Sequence, residues 1–131
     1  MYRIERRPSG YLLSFSGTVN KDEMQRWYNE TKTVLLGERS SEFGVVVDMR
    51  GLQPLKDDAK TIMVNGQQLY KEKGMKRSAV ILADAEVCRQ FKNLAVQSGI
   101  YVTERYLDAS NMGDAIGKAI DWVKSGVDPD R

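Results

Sequence analysis

The sequence predicts an α/β protein: a mostly parallel five-stranded sheet with an N-terminal hairpin and four helices mainly on one face. Three observations carry this expectation. Short β-branched runs such as "FGVVVDM" (43–49) and "RSAVILA" (77–83) have the length and composition of buried strands. Between them lie longer segments whose apolar residues recur at helical spacing. The order is strand, strand, helix and then three strand–helix units, which implies parallel strands joined by right-handed crossovers.

The elements follow from local chemistry. "YRIER" (2–6) and "GYLLSFSG" (10–17) read as strands, and "RPSG" between them supplies hairpin turn residues. Asn20, three residues before Glu23, is placed to cap the first helix. Met24, Trp27, Tyr28, Thr31, Val34 and Leu35 then recur at helical spacing, and Gly37 is a stop. "FGVVVDM" is a central strand with Val46 fully buried, and an eleven-residue loop after Asp48 opens the second helix. That helix carries Ala59, Ile62, Met63, Gly66, Leu69 and Tyr70 on one stripe and ends at Gly74. A glycine costs about 1 kcal/mol inside a helix, and close packing against the sheet would explain Gly66.

After "RSAVILA", Asp84 caps a third helix whose inner face reads as Val87, Phe91, Leu94 and Ala95, with Gly99 as its stop. Cys88 lies one step off that stripe. It reads as a small buried hydrophobe rather than a reactive thiol, because neither a basic neighbour nor a second cysteine activates it. "YVTERYL" (101–107) is the last strand. Ser110 or Asn111 opens a final helix with Met112, Ala115, Ile116, Ala119 and Val123 inward and Trp122 at the margin of the stripe. "SGVDPDR" reads as a frayed end. With no repeat, low-complexity segment or linker, residues 1–131 read as one domain.

Composition narrows the function. Twenty basic and eighteen acidic residues leave a formal charge of +2, too balanced to imply nucleic acid. The densest basic run, "KEKGMKR" (71–77), reads as solvated lysines at a helix end, with a phosphate-binding patch as the alternative. The chain has no histidine, which removes the usual base of Ser-His and Cys-His catalysis and the commonest zinc ligand. Glycine-rich phosphate loops, CxxC pairs and the GxSxG elbow are also missing. The expectation is a protein that is not an enzyme and uses no cofactor or metal. A charged N-terminus and the lack of a long apolar stretch point to a cytoplasmic protein without stable membrane insertion.

The element order, together with "DMRGLQPLKDDA" after the third strand, resembles the STAS family, named for sulfate transporters and anti-sigma-factor antagonists. The last third, "RYLDASNMGDAIGKAIDWV" (105–123), looks more specifically like the SpoIIAA-like (STAS/SEC14-like) bacterial proteins. In the antagonists the strand-end aspartate and its loop precede a helix opening with Asp-Ser-Ser-Gly, where a partner kinase phosphorylates a serine. On that pattern Asp48 matches the strand-end aspartate, while Lys56, Asp57, Asp58 and Ala59 replace the serine motif. The resemblance therefore implies a STAS module without the phosphoserine switch.

In such a sheet the strands' carboxyl ends gather Asp48, Asp57, Asp58, Asp84 and Asp108, with Lys21, Arg50 and Lys56 as counter-charges. Helix capping accounts for Asp57, Asp84 and Ser110. The candidate partner- or ligand-binding loop is Asp48, Arg50, Gly51, Lys56, Asp57 and Asp58. Two functions fit. One is a regulatory or protein-interaction module. The other, on the SEC14-like side of the resemblance, is a carrier or sensor of a small apolar ligand or lipid held against a helix-free sheet face. Crossovers in strand order would put every helix on one side. The uncovered face, or the last strand, is then expected to form a homodimer, with Phe15, Tyr101 and Tyr106 as aromatic candidates.

Overall fold

The computed structural model describes residues 1–130. Strands β1 (Tyr2–Arg7), β2 (Gly10–Gly17), β3 (Phe43–Leu52), β4 (Met75–Leu82) and β5 (Glu104–Asp108) form one sheet in sequence order. β1 and β2 are the expected antiparallel hairpin, and β2 to β5 are parallel. Val46 lies in the middle strand and is 2% exposed, as its unbroken apolar surroundings predict.

Helices α1 (Lys21–Leu36), α2 (Asp57–Lys73) and α3 (Ala85–Ser98) are the crossovers, and the handedness rule places them on one face. Asn20 caps α1 by accepting from the Glu23 N–H at 2.9 Å, and Asp84 caps α3 by accepting from Val87 N–H at 3.0 Å. Under α1 and α2, Leu13, Phe15, Val45 and Val47 meet Met24, Trp27, Met63 and Tyr70. Gly66 does pack closely, but against Trp27 of α1 rather than the sheet: a Cβ there would overlap the indole ring. The glycine thus sets how near α1 and α2 approach.

The expectation of an uncovered second face fails. Helix α4 (Ala115–Ser125) lies on that face, where Ala115, Ala119, Trp122 and Val123 cover Leu12, Val46, Ala79, Ile81 and Leu107. The physical reason is simple. The handedness rule constrains a helix only when a parallel strand follows it, and nothing follows α4. Beyond α4 that face carries Arg3, Glu5 and Arg7 of β1, which need no apolar cover. The geometric reason for a homodimer disappears with the open face. Its aromatic candidates are also engaged: Phe15 is 3% exposed against Trp27, and the Tyr101 hydroxyl donates to Asp130.

The C-terminal third departs from expectation in three places. Ile100–Val102 form a 3-10 turn, so β5 begins at Glu104 rather than Tyr101. Neither Ser110 nor Asn111 opens α4. Ser110 donates to the Asp108 carboxylate, and Asp114, at φ 51°, caps α4 by accepting from Gly117 N–H at 3.2 Å. The tail is clasped rather than frayed. Arg105, 8% exposed, stacks between the rings of Tyr101 and Trp122 at 3.8 and 4.1 Å and binds Asp128 at 3.0 Å. Lys92 holds Asp130 at 3.2 Å. Trp122 is a core residue, 6% exposed, whose indole N–H donates to the Ser78 carbonyl at 3.0 Å.

Candidate functional site

The segment after Asp48 is mostly strand. β3 continues through Met49, Arg50 and Gly51 to Leu52, its pairing with β2 shifted by one bulge between Ser14 and Ser16. The free loop is only residues 53–56. Asp48 accepts from the Arg50 backbone N–H at 3.1 Å and from its guanidinium at 3.0 and 2.8 Å. Burial pushes the Asp48 carboxyl up, but the hydrogen bonds and charge of Arg50 outweigh it and hold the group below the ordinary carboxylate range.

The other candidates do not converge with this pair. Lys56 occupies the N-cap position of α2 without a side-chain hydrogen bond, so Asp57 is the first helical residue and not the cap. Asp58 accepts from the neighbouring Ala59 N–H at 2.7 Å, and both aspartates sit favourably in the first turn, near the positive end of the helix. Gly51 lies along Ser16 of β2. Among the described residues, no three carboxylate or thiol side chains are placed to share a metal ion.

What the fold does build nearby is a groove. α2 packs along α1, whereas α3 leans over β5 and the 3-10 turn, so the two helices part above β4 and β5. The space between them is about 700 Å³, well within the range of small-molecule sites. One wall is Met63, Val64 and Gln67 of α2, and the other is Val87 and Phe91 of α3. The floor is Val80 and Leu82 of β4 with Glu104 and Tyr106 of β5, and Met49, Leu52, Pro54 and Leu55 close the carboxyl end. Of the six residues singled out from the sequence, only Arg50 lines it.

The inner face expected for α3 is rotated. Cys88 and Ala95 are the buried seam, at 4% and 3% exposure. Val87, Phe91 and Leu94 stay 37%, 40% and 62% exposed, with Phe91 resting on the Tyr106 ring at 5.9 Å. Burial raises the pKa of the Cys88 thiol, which keeps it protonated and unreactive. The signal that could have found the groove was this pair of i, i+7 small residues, a narrower seam than the Val87–Phe91 stripe.

The groove is not purely apolar. Glu104 and Tyr106 share one face of β5, while Arg105 and Leu107 face α4. The Glu104 carboxylate accepts from Ser78 Oγ at 2.6 Å on one oxygen and from the Tyr106 hydroxyl on the other. Burial, followed by this contact with an anion, raises the pKa of the Tyr106 phenol, so it stays a donor.

No family model and no curated protein matches this chain. Among solved structures, it is similar to an uncharacterized protein of the DUF3478 family from Shewanella loihica PV-4 that has a SpoIIAA-like fold. The TM-score is 0.60 at 20% identity, covering 94% of this chain and 92% of that one. Likeness at this identity speaks to the fold, and the SpoIIAA-like fold expected from the sequence is the one found.

Proposed function

We propose that this chain, a SpoIIAA-like α/β domain, is a non-catalytic binding module whose ligand is a small molecule with a large apolar surface, held between α2 and α3. The groove carries this reading: it is roomy, walled mainly by apolar side chains and reaches the carboxyl edge of the parallel strands, where ligands of open α/β sheets gather. It lies on the face that carries α1 to α3, because α4 occupies the face where the sequence suggested a ligand. Non-catalytic is supported by the lack of histidine and by the placement of two nucleophiles beside the groove, Ser78 and Cys88. Ser78 contacts a carboxylate but is 4% exposed beneath the floor, and Cys88 is buried behind the wall.

The test is binding of a neutral dye, Nile red, followed by fluorescence. The parent should bind with one-to-one stoichiometry. Val87→Trp, which fills the groove from a position already 37% exposed, should weaken binding at least about tenfold with little change in melting. Equal binding by this variant would sink the reading. Mass spectrometry of native against denatured protein would identify a co-purifying ligand.

A second reading is a protein partner that lays an apolar helix in the same groove. The observation favouring it is the exposure of Val64 and Leu94, 62% each, beyond what an enclosed ligand would cover. No helix of the described residues is long and apolar enough to cross a membrane.

A further inference from the structure

Glu104 stands at the inner end of the groove, and among the described residues no cation forms an ion pair with it. Its carboxylate is partly buried, and both hydrogen bonds it accepts come from neutral hydroxyls, Ser78 and Tyr106. Arg105, its neighbour in sequence, points to the opposite face and is committed to Asp128. Arg50, at the far end of the groove, is committed to Asp48, and Lys60 lies exposed at the rim. An anion fixed by neutral donors in apolar surroundings is costly unless something positive meets it. Each carboxylate oxygen keeps a second lone pair free to accept another hydrogen bond. Tyr106, whose hydroxyl donates to Glu104, packs against the Phe91 ring at 5.9 Å, and aromatic faces attract cations.

We propose that Glu104 is a cation subsite: it receives the protonated amine of a small amphiphile whose apolar part lies along Val80, Leu82, Val87 and Phe91. The ladder sets the ligand's scale. Ser78 pairs with Glu104, and Leu82 lies at the carboxyl end of the same strand. Four residues of strand span about 13 Å, so the ligand carries an apolar body of about that length from its charged end. This inference rests on the groove being the binding site, and its test separates the two.

The experiment is isothermal titration of the full chain with decylammonium, decanol and decanoate, each below its micellar range. The parent should bind decylammonium about tenfold tighter than decanol, with decanoate weakest. Glu104→Gln keeps the side-chain shape and should erase the preference for the amine, lowering decylammonium affinity about tenfold to the level of decanol. The ranking in the parent stands by itself should that variant melt abnormally. Equal affinity for all three ligands would overturn the cation subsite and leave the groove reading intact. Failure of all three, with no displacement of Nile red, would remove both. Binding of a lysine-bearing amphipathic helical peptide without any decylammonium binding would overturn the small-ligand form.

Discussion

Replacing Gly66 with alanine should destabilise the protein even though it improves the helix. Two effects of opposite sign meet there. Alanine is favoured over glycine in a helix interior by about 1 kcal/mol. Against this, a Cβ at Gly66 would lie closer than 3.0 Å to Cζ3 and Cη2 of Trp27, a residue with no exposed surface. The indole is held edge-on to Phe15, with ring centroids 5.3 Å apart, so it has no empty space to turn into. Overpacking of a dense core costs about 1–3 kcal/mol, and a clash with a rigid ring belongs at the upper end. The net loss should be about 1–2 kcal/mol, read as a lower urea midpoint at unchanged slope. In a Trp27→Phe background the colliding atoms are gone, and alanine should become neutral or stabilising by up to about 1 kcal/mol. The double-mutant cycle should therefore show a coupling of about 2 kcal/mol. A Gly66→Ala protein at least as stable as its parent would refute the argument that this glycine sets the spacing of α1 and α2.

Four further outcomes are expected. Val46→Asp puts an unpaired carboxylate into the central strand and should cost several kcal/mol, out of a stability of about 5–15 kcal/mol for a domain of this kind; a soluble variant that melts like the parent would contradict the strand assignment. Asp48→Asn should cost under about 1 kcal/mol at neutral pH, because the Arg50 pair is partly exposed. Since the folded-state pKa of Asp48 is lowered, its contribution is complete above the ordinary carboxylate pKa of about 4 and is lost as pH falls through the lower folded value; a gap between parent and variant that persists at still lower pH would contradict this. Arg105→Gln should cost about 2 kcal/mol, less than a fully buried pair because Asp128 is 24% exposed, and should speed tryptic cleavage after Lys124; cleavage at the parental rate would mean the clasp does not hold the tail. Incubation with ATP and a kinase of the anti-sigma type should leave residues 53–61 unmodified, and stoichiometric phosphate there on intact-mass analysis would restore a switch.

The sequence made legible what local chemistry controls. The hairpin turn, the Asn20 and Asp84 caps, the stops at Gly37, Gly74 and Gly99, and the buried middle strand all follow from short stretches of residues. The side of the sheet taken by α4 was not legible, because no local rule governs a helix after the last strand. β3 outran its apolar segment because a bulge past Asp48 lets Gly51 and Leu52 keep pairing with Ser16 and Gly17. The groove was least legible. Val87 and Phe91 have the spacing of core residues, and only the distance between α2 and α3 decides that they border open space. Of the candidate loop only Arg50 lines the groove, and its aspartates serve the helix and strand ends around them.

Strand β1 is the outermost strand on its side of the sheet, and four of its six residues are Arg3, Glu5, Arg6 and Arg7. Its inner neighbour β2 has the opposite character, with Tyr11, Leu12, Leu13 and Phe15 all buried. An unpaired strand edge invites another chain to add to it, and charge is the usual deterrent. β1 therefore acts as a guard rail: it spends few apolar residues of its own and keeps an aggregation-prone segment from ever being an edge. Shortening the protein at its N-terminus would remove little of the core. It would leave "YLLSF" bordering solvent, with a full row of free backbone donors and acceptors, and the first thing lost would be solubility rather than fold.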